Sequence, residues 1–143
     1  MFAYSVTSIG GAAFWGCASL TSITIPDSVT SIGDEVFINC TNLASITIPD
    51  SVTSIGDGAF WKCTNLTSIT FGTNSNFTSI AVSAFYQCTS LTSITIPDSV
   101  TSIGSSTFSG CASLATITIP DGVTSIGDGS FYHCTSLTSI TVG

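Results

Sequence analysis

Six phenylalanines, Phe14, Phe37, Phe60, Phe85, Phe108 and Phe131, follow one another at intervals of 23, 23, 25, 23 and 23 residues. Each opens a copy of one unit, F-x-x-C-x-x-L-x-x-I-x-I-P-D-x-V-T-S-I-G-x-x-A/S, and the copies fill the 143-residue chain. Self-similarity at a fixed period of about 20 to 50 residues predicts a solenoid, because one such unit cannot bury its apolar face alone and must stack on its neighbours. The expectation is a single β-rich solenoid over 1–143, six coils with a continuous parallel sheet. The one irregular copy carries two extra residues between Phe71 and Phe77, where Gly-Thr-Asn-Ser-Asn replaces the Pro-Asp turn. These residues are expected to bulge outward and to leave Phe77 and Ile80 in the rows begun by Val29 and Ile32.

Within a copy, the run L-T-S-I-T-I alternates apolar and hydroxyl side chains, which is strand periodicity with Ile23 and Ile25 facing inward. Pro-Asp ends that strand, since proline removes a ladder donor and Pro-Asp is turn chemistry. V-T-S-I-G reads as a second, shorter strand on another side of the coil, closed by glycine. The segment around Phe and Cys is too short for more than irregular backbone or a single helical turn, with Asp34, Asp57 and Asp128 placed as caps. Stacking at about 4.8 Å per coil turns these positions into inward rows of Phe, Cys, Leu and Ile. A buried Phe or Leu contributes roughly 1.5–3 kcal/mol, against the entropy of fixing each coil, so several rows must act together.

Composition narrows the function. One basic side chain, Lys62, stands against eight acidic ones, for a net charge of −7. Such a chain has nothing with which to neutralise phosphates, which argues against nucleic acid and against anionic membrane surfaces. Its apolar residues are dispersed, so no membrane span is expected. The opening MFAYSVTSIG has neither the basic leader nor the apolar core of a secretory signal.

The pattern A-F-x-x-C-T-x-L-T-S-I-T-I-P-x-S-V-T-S-I-G resembles the BspA-like leucine-rich repeats of bacterial and protist surface proteins over essentially the entire chain. Its core, Leu20-Thr-Ser-Ile23-Thr-Ile25, is similar to the strand consensus of leucine-rich repeats in general. The resemblance implies a leucine-rich-repeat solenoid at the cell surface or outside the cell, adhering to host proteins or cells, without cofactor or catalysis.

Several constellations are candidates for a site. Ser22 and Thr24, Ser45 and Thr47, Ser68 and Thr70, Ser93 and Thr95, Thr116 and Thr118, and Ser139 and Thr141 form two hydroxyl columns on the outer strand face. They offer a binding face for protein or glycan, or, like the Thr-x-Thr faces of ice-binding solenoids, for ice; thermal hysteresis separates the last case. Trp15, Trp61, Tyr86 and Tyr132 follow Phe at one phase and form an aromatic edge, able to stack on sugars or to cover the hydrophobic margin. Asn39, Asn65 and Asn76 each begin an N-x-S/T sequon.

The six cysteines share one repeat phase and read as a ladder of buried free thiols, not as bridges. Asp27, Asp50, Asp98 and Asp121 read as turn residues, and His133 as an exposed turn residue beside Cys134; no metal, cofactor or catalytic group is expected. The phase of Phe2 and Val142, equivalent positions six copies apart, predicts head-to-tail stacking of the chain on itself into filaments. A monomeric adhesin module is the alternative.

Overall fold

The computed structural model describes residues 5–73 and 75–143; Phe2, on which the terminal phase was read, lies outside them. Ten short strands run in chain order: β1 (Ser8–Ile9), β2 (Ser31–Ile32), β3 (Ser45–Ile48), β4 (Ser54–Ile55), β5 (Ser68–Phe71), β6 (Ser79–Ile80), β7 (Ser102–Ile103), β8 (Thr116–Ile119), β9 (Ser125–Ile126) and β10 (Ser139–Val142). All pairings are parallel, and in the regular copies each residue lies beside its equivalent 23 positions on, as in Ser45 with Ser68 and Ile117 with Ile140. The chain is a β-solenoid of about six turns with no helix among the described residues, as the repeat required.

The four-residue strands β3, β5, β8 and β10 form the broad face, and the two-residue strands form a second face, both at the places the alternation assigned to them. The expected continuous sheet is divided. On the second face β1, β2 and β4 make one sheet and β6, β7 and β9 another; on the broad face β3 pairs with β5 and β8 with β10, with a single bridge joining Thr95 to Thr118. The two additional residues are nevertheless absorbed locally. Phe77 is 1% exposed and Ile80 5% exposed, in the rows of Val100 and Ile103, and Ser79 pairs with Ser102 in the regular register.

The third side is the Phe corner, and it forms neither strand nor helix. In every copy the residues two before and two after Phe have positive φ: Ala12 and Gly16, Glu35 and Asn39, Gly58 and Lys62, Ser83 and Gln87, Ser106 and Gly110, Gly129 and His133. This alternation turns the amides of those two residues and of Phe itself along the solenoid. Ala12, Phe14 and Gly16 donate to the carbonyls of Asp34, Val36 and Ile38 at 2.9, 2.9 and 2.7 Å, and the same three bonds recur at each following junction. The left-handed conformation costs a non-glycine residue about 1–2 kcal/mol. Here the inter-coil bonds hold it, so glycine is needed at only four of the twelve positions.

Inside the corner the phenylalanine rings stack at 5.2–5.6 Å with interplanar angles of 4–14°. Phe37, Phe60, Phe85 and Phe108 are fully buried. The cysteines beside them are free thiols, buried from Cys40 to Cys111. Cys40, Cys63, Cys88, Cys111 and Cys134 donate their S–H groups to the carbonyls of Phe14, Phe37, Phe60, Phe85 and Phe108 in the preceding coil, at 3.1–3.2 Å. The column thus fills a small apolar volume and serves a carbonyl that the turn alone does not saturate. Burial pushes the Cys63 and Cys111 thiols up to about 12, and that of Cys88 well above its ordinary value.

Candidate functional site

The hydroxyl array stands where the alternation placed it. Ser22, Thr24, Ser45, Thr47, Ser68, Thr70, Ser93, Thr95, Thr116, Thr118, Ser139 and Thr141 are all exposed, while the isoleucines between them point into the core in the interior coils. Two shallow open depressions mark this face. One is lined by Ser22, Thr24, Ser45 and Thr47 with Asp27 and Asp50 at its rim; the other by Thr70, Thr95, Ser75, Asp98 and Ser99. Gly72 and Thr73, from the irregular turn, line both. The hydroxyls of Ser51, Ser75 and Ser99 at the margins of the depressions are buried and make no hydrogen bond. The ladder beneath the array is interrupted between Thr24 and Thr47 and again between Thr70 and Thr95.

The aromatic edge is uneven. Trp15 is 51% exposed and Tyr132 64%, whereas Trp61 and Tyr86 are half-buried and pack on each other with centroids 4.6 Å apart. Ile38 and Ser109 occupy the same phase and are buried, so the edge consists of one central pair and two isolated rings. His133 is exposed in a left-handed turn and packs edge-on against Tyr132 at 4.1 Å. Of the sequon residues, Asn65 and Asn76 are exposed and Asn39 is half-buried with positive φ; the Asn65 amide donates to Asn42 Oδ1 at 3.2 Å.

The acidic residues do not converge. Asp27, Asp98 and Asp121 sit on exposed turns of the broad face, and Asp34 and Asp57 on exposed positions after the second strand. The capping role expected for Asp34 takes a different form: its Oδ1 accepts from the amide of Asp57 in the next coil at 2.8 Å, bridging turns instead of closing one. Among the described residues no group of three or more His, Cys, Asp or Glu is placed to hold a metal ion, and no helix is long and apolar enough to cross a membrane. Sequence reasoning missed the left-handed pairs flanking each Phe. Their signal was a column in which Gly recurs among Asn, Ser and Lys, and it was diluted by the eight non-glycine residues that the inter-coil bonds tolerate.

The model of the BspA type leucine rich repeat region matches residues 1–78 and 73–143, in six copies. No curated protein matches the chain. Among solved structures, a leucine rich cell surface protein from Faecalibacterium prausnitzii A2-165 is 41% identical over 86% of this chain, with a TM-score of 0.81. The leucine rich repeat protein TpLRR of T. pallidum is 38% identical over 95% of this chain, with a TM-score of 0.90. A leucine-rich repeat protein from Bacteroides ovatus ATCC 8483 is 31% identical over 94% of it, with a TM-score of 0.73. The chain spans 32%, 63% and 40% of the lengths of these three structures.

Proposed function

Because the chain belongs to the family of BspA-type leucine-rich repeats, we propose that it acts as a non-catalytic repeat scaffold at the cell surface or outside the cell, holding an adhesive face toward protein or glycan. The observation that carries this reading is the exposed, charge-free double column of Ser and Thr on a framework whose ionisable groups are scattered. Catalysis draws on convergent titratable groups with perturbed affinities in a cleft, and the thiols, the groups raised furthest here, are sealed in the core. The F. prausnitzii relative is described as a cell surface protein, which favours the same location for this chain. Arrays of immobilised matrix proteins and glycans test the reading. Retained binding that falls at least tenfold in a Thr47→Glu, Thr70→Glu double variant supports it; absence of binding, or binding indifferent to both the hydroxyl face and the Trp61–Tyr86 pair, overturns it.

Association of the 143-residue chain with itself is the second reading. It is favoured by apolar surface on the outermost described coils: Ile126 is 45% exposed, Ile140 44% and Val142 71%, and Val6, Ile9, Phe14 and Ile23 line a hollow at the other end. A head-to-tail contact continues each row and does not close, so it propagates. Sedimentation of this chain over a concentration series is expected to give growing oligomers, and electron microscopy an axial repeat on the order of 29 Å, six coils at about 4.8 Å. A single monomer at all concentrations refutes this reading and leaves the adhesive one standing.

A further inference from the structure

The junction between the turn that ends at Phe71 and the turn that begins at Phe77 differs from the others in its hydrogen bonds. At every regular junction the Phe corner and the second face both contribute, whereas the broad face varies, with no strand pairing between 22–25 and 45–48 and a single bridge between Thr95 and Thr118. On the second face Thr53 donates to Thr30 at 2.9 Å and Gly56 to Ile32 at 2.8 Å, and beyond the irregular copy Thr101 donates to Thr78 and Gly104 to Ile80, both at 2.8 Å. No equivalent bond joins Thr78 to Thr53 or Ala81 to Ile55, and β6 does not pair with β4. On the broad face β5 pairs with β3 alone; toward the next turn the Thr92 amide and hydroxyl donate to the Thr67 carbonyl at 3.4 and 3.5 Å and the Thr89 hydroxyl to the Thr64 carbonyl at 3.4 Å, while the Ala115 amide reaches the Thr92 carbonyl at the same 3.4 Å one junction on. The Phe corner is intact: Gly58, Phe60 and Lys62 donate to Val82, Ala84 and Tyr86 at 2.9, 2.8 and 2.8 Å. The Phe60 and Phe85 rings stack at 5.4 Å, and Trp61 and Tyr86 close the corner from outside.

Two features of the sequence produce this asymmetry. The first is the additional pair of residues in the turn from 72 to 76. The second is Ala81, which stands where the other copies have glycine: Gly10, Gly33, Gly56, Gly104 and Gly127. That glycine is a requirement of close approach, since a Cβ at Gly33 would lie 2.7 Å from the Gly11 amide nitrogen and a Cβ at Gly104 2.6 Å from that of Val82. A methyl group at position 81 therefore keeps the two turns from meeting at regular spacing on the second face. A small apolar void lined by Ile55, Phe71, Phe77, Ile80 and Phe85 lies at the same boundary.

We propose that this junction is a hinge: the blocks 5–71 and 77–143 pivot about the Phe corner, whose three amide bonds and stacked rings act as the flexure, while the two strand faces open and close. The site moved by the pivot is the Ser/Thr face, because its two depressions share Gly72 and Thr73 at the boundary. The solenoid thereby adjusts the curvature of that face to what lies against it, in a way that a uniform stack does not allow.

Native-state amide exchange of the intact chain tests this. Thr78 and Ala81 are expected to exchange at least tenfold faster than their equivalents Thr53 and Gly56, while Gly58, Phe60 and Lys62 stay as slow as Glu35, Phe37 and Asn39. A repaired chain, with 72–76 replaced by Pro-Asp-Ser and Ala81→Gly, is expected to lose the difference. Should the repaired chain fail to fold, Ala81→Gly alone is expected to slow exchange at Thr78 and at position 81. Equal protection across both strand-face sets in the natural sequence overturns the hinge. Fast exchange at Gly58, Phe60 and Lys62 together with the strands also overturns it, since the blocks then separate instead of pivoting.

Discussion

The Phe corner and the two strand faces stack with the same 23-residue period, yet they tolerate two additional residues differently. The corner carries its three amide bonds, its ring stack and its thiol bond across the irregular copy without loss. The second face loses its ladder there, since β6 does not pair with β4. The reason lies in where the bonds are made. At the corner each donor is aimed along the axis by a left-handed residue on either side of Phe, so the geometry is set within five residues. On the second face, pairing depends on the whole turn between one strand and the next arriving at the right height, and that turn is where the insertion falls.

This contrast orders the expected effects of substitution. Phe85→Ala removes a fully buried ring from the middle of the stack and should cost about 3–5 kcal/mol, read by chemical denaturation. Ile94→Val, beside the same junction on the broad face, should cost about 0.5–1.5 kcal/mol. A loss for Phe85→Ala clearly smaller than that for Phe37→Ala, in a regular copy, would dissolve the distinction between corner and face. Cys63→Ala removes a buried sulfur and leaves the Phe37 carbonyl without its second donor, for about 1–3 kcal/mol. Cys63→Ser should cost less than Cys63→Ala, because the hydroxyl remains a donor to that carbonyl.

The thiol column gives a pH dependence with a definite sign. The folded Cys63 and Cys111 are raised from 9.0 to about 12, so the unfolded chain ionises first. Their contribution to stability is complete below pH 9 and is lost as pH rises from there through about 12. Urea midpoints between pH 8 and 11 are expected to fall, and a flat profile would mean that these thiols are accessible when folded. Added reductant should leave the midpoint unchanged, since the cysteines are free. The smallest effect is at the flexure itself. Gln87→Gly relieves a left-handed residue but frees the unfolded chain, so the net gain should not exceed about 1 kcal/mol.

The solenoid, its two strand faces, the inward rows and the outward hydroxyls were all legible in the chain, because each follows from period and alternation, which survive translation into ladders without further information. The rest was not, for identifiable reasons. Glu35, Lys62 and Gln87 give no local indication of positive φ, since the bonds that hold them there come from another coil. The division of the second face was hidden because Ala81 reads as a mild change from glycine until the close approach at Gly33 and Gly104 is known. Ile38 and Ser109 interrupt the aromatic phase already in the sequence, which does not give the packing of Trp61 on Tyr86 or the exposure of Trp15 and Tyr132.

The corner amides also bear on how the field of the backbone accumulates with length. Between the first two regular copies, Ala12, Phe14 and Gly16 donate toward the C-terminal coil, whereas Thr30, Gly33 and Ala44 donate toward the N-terminal one. In an α-helix every peptide dipole points the same way, and the sum leaves about half a charge at each end. Here the corner amides point one way and those of Thr30, Gly33 and Ala44 the other, with the parallel ladders between them, so the peptide dipoles do not all align. A coil added to such a stack extends the hydrogen bonding without adding every peptide dipole in one direction, as a further turn of helix does.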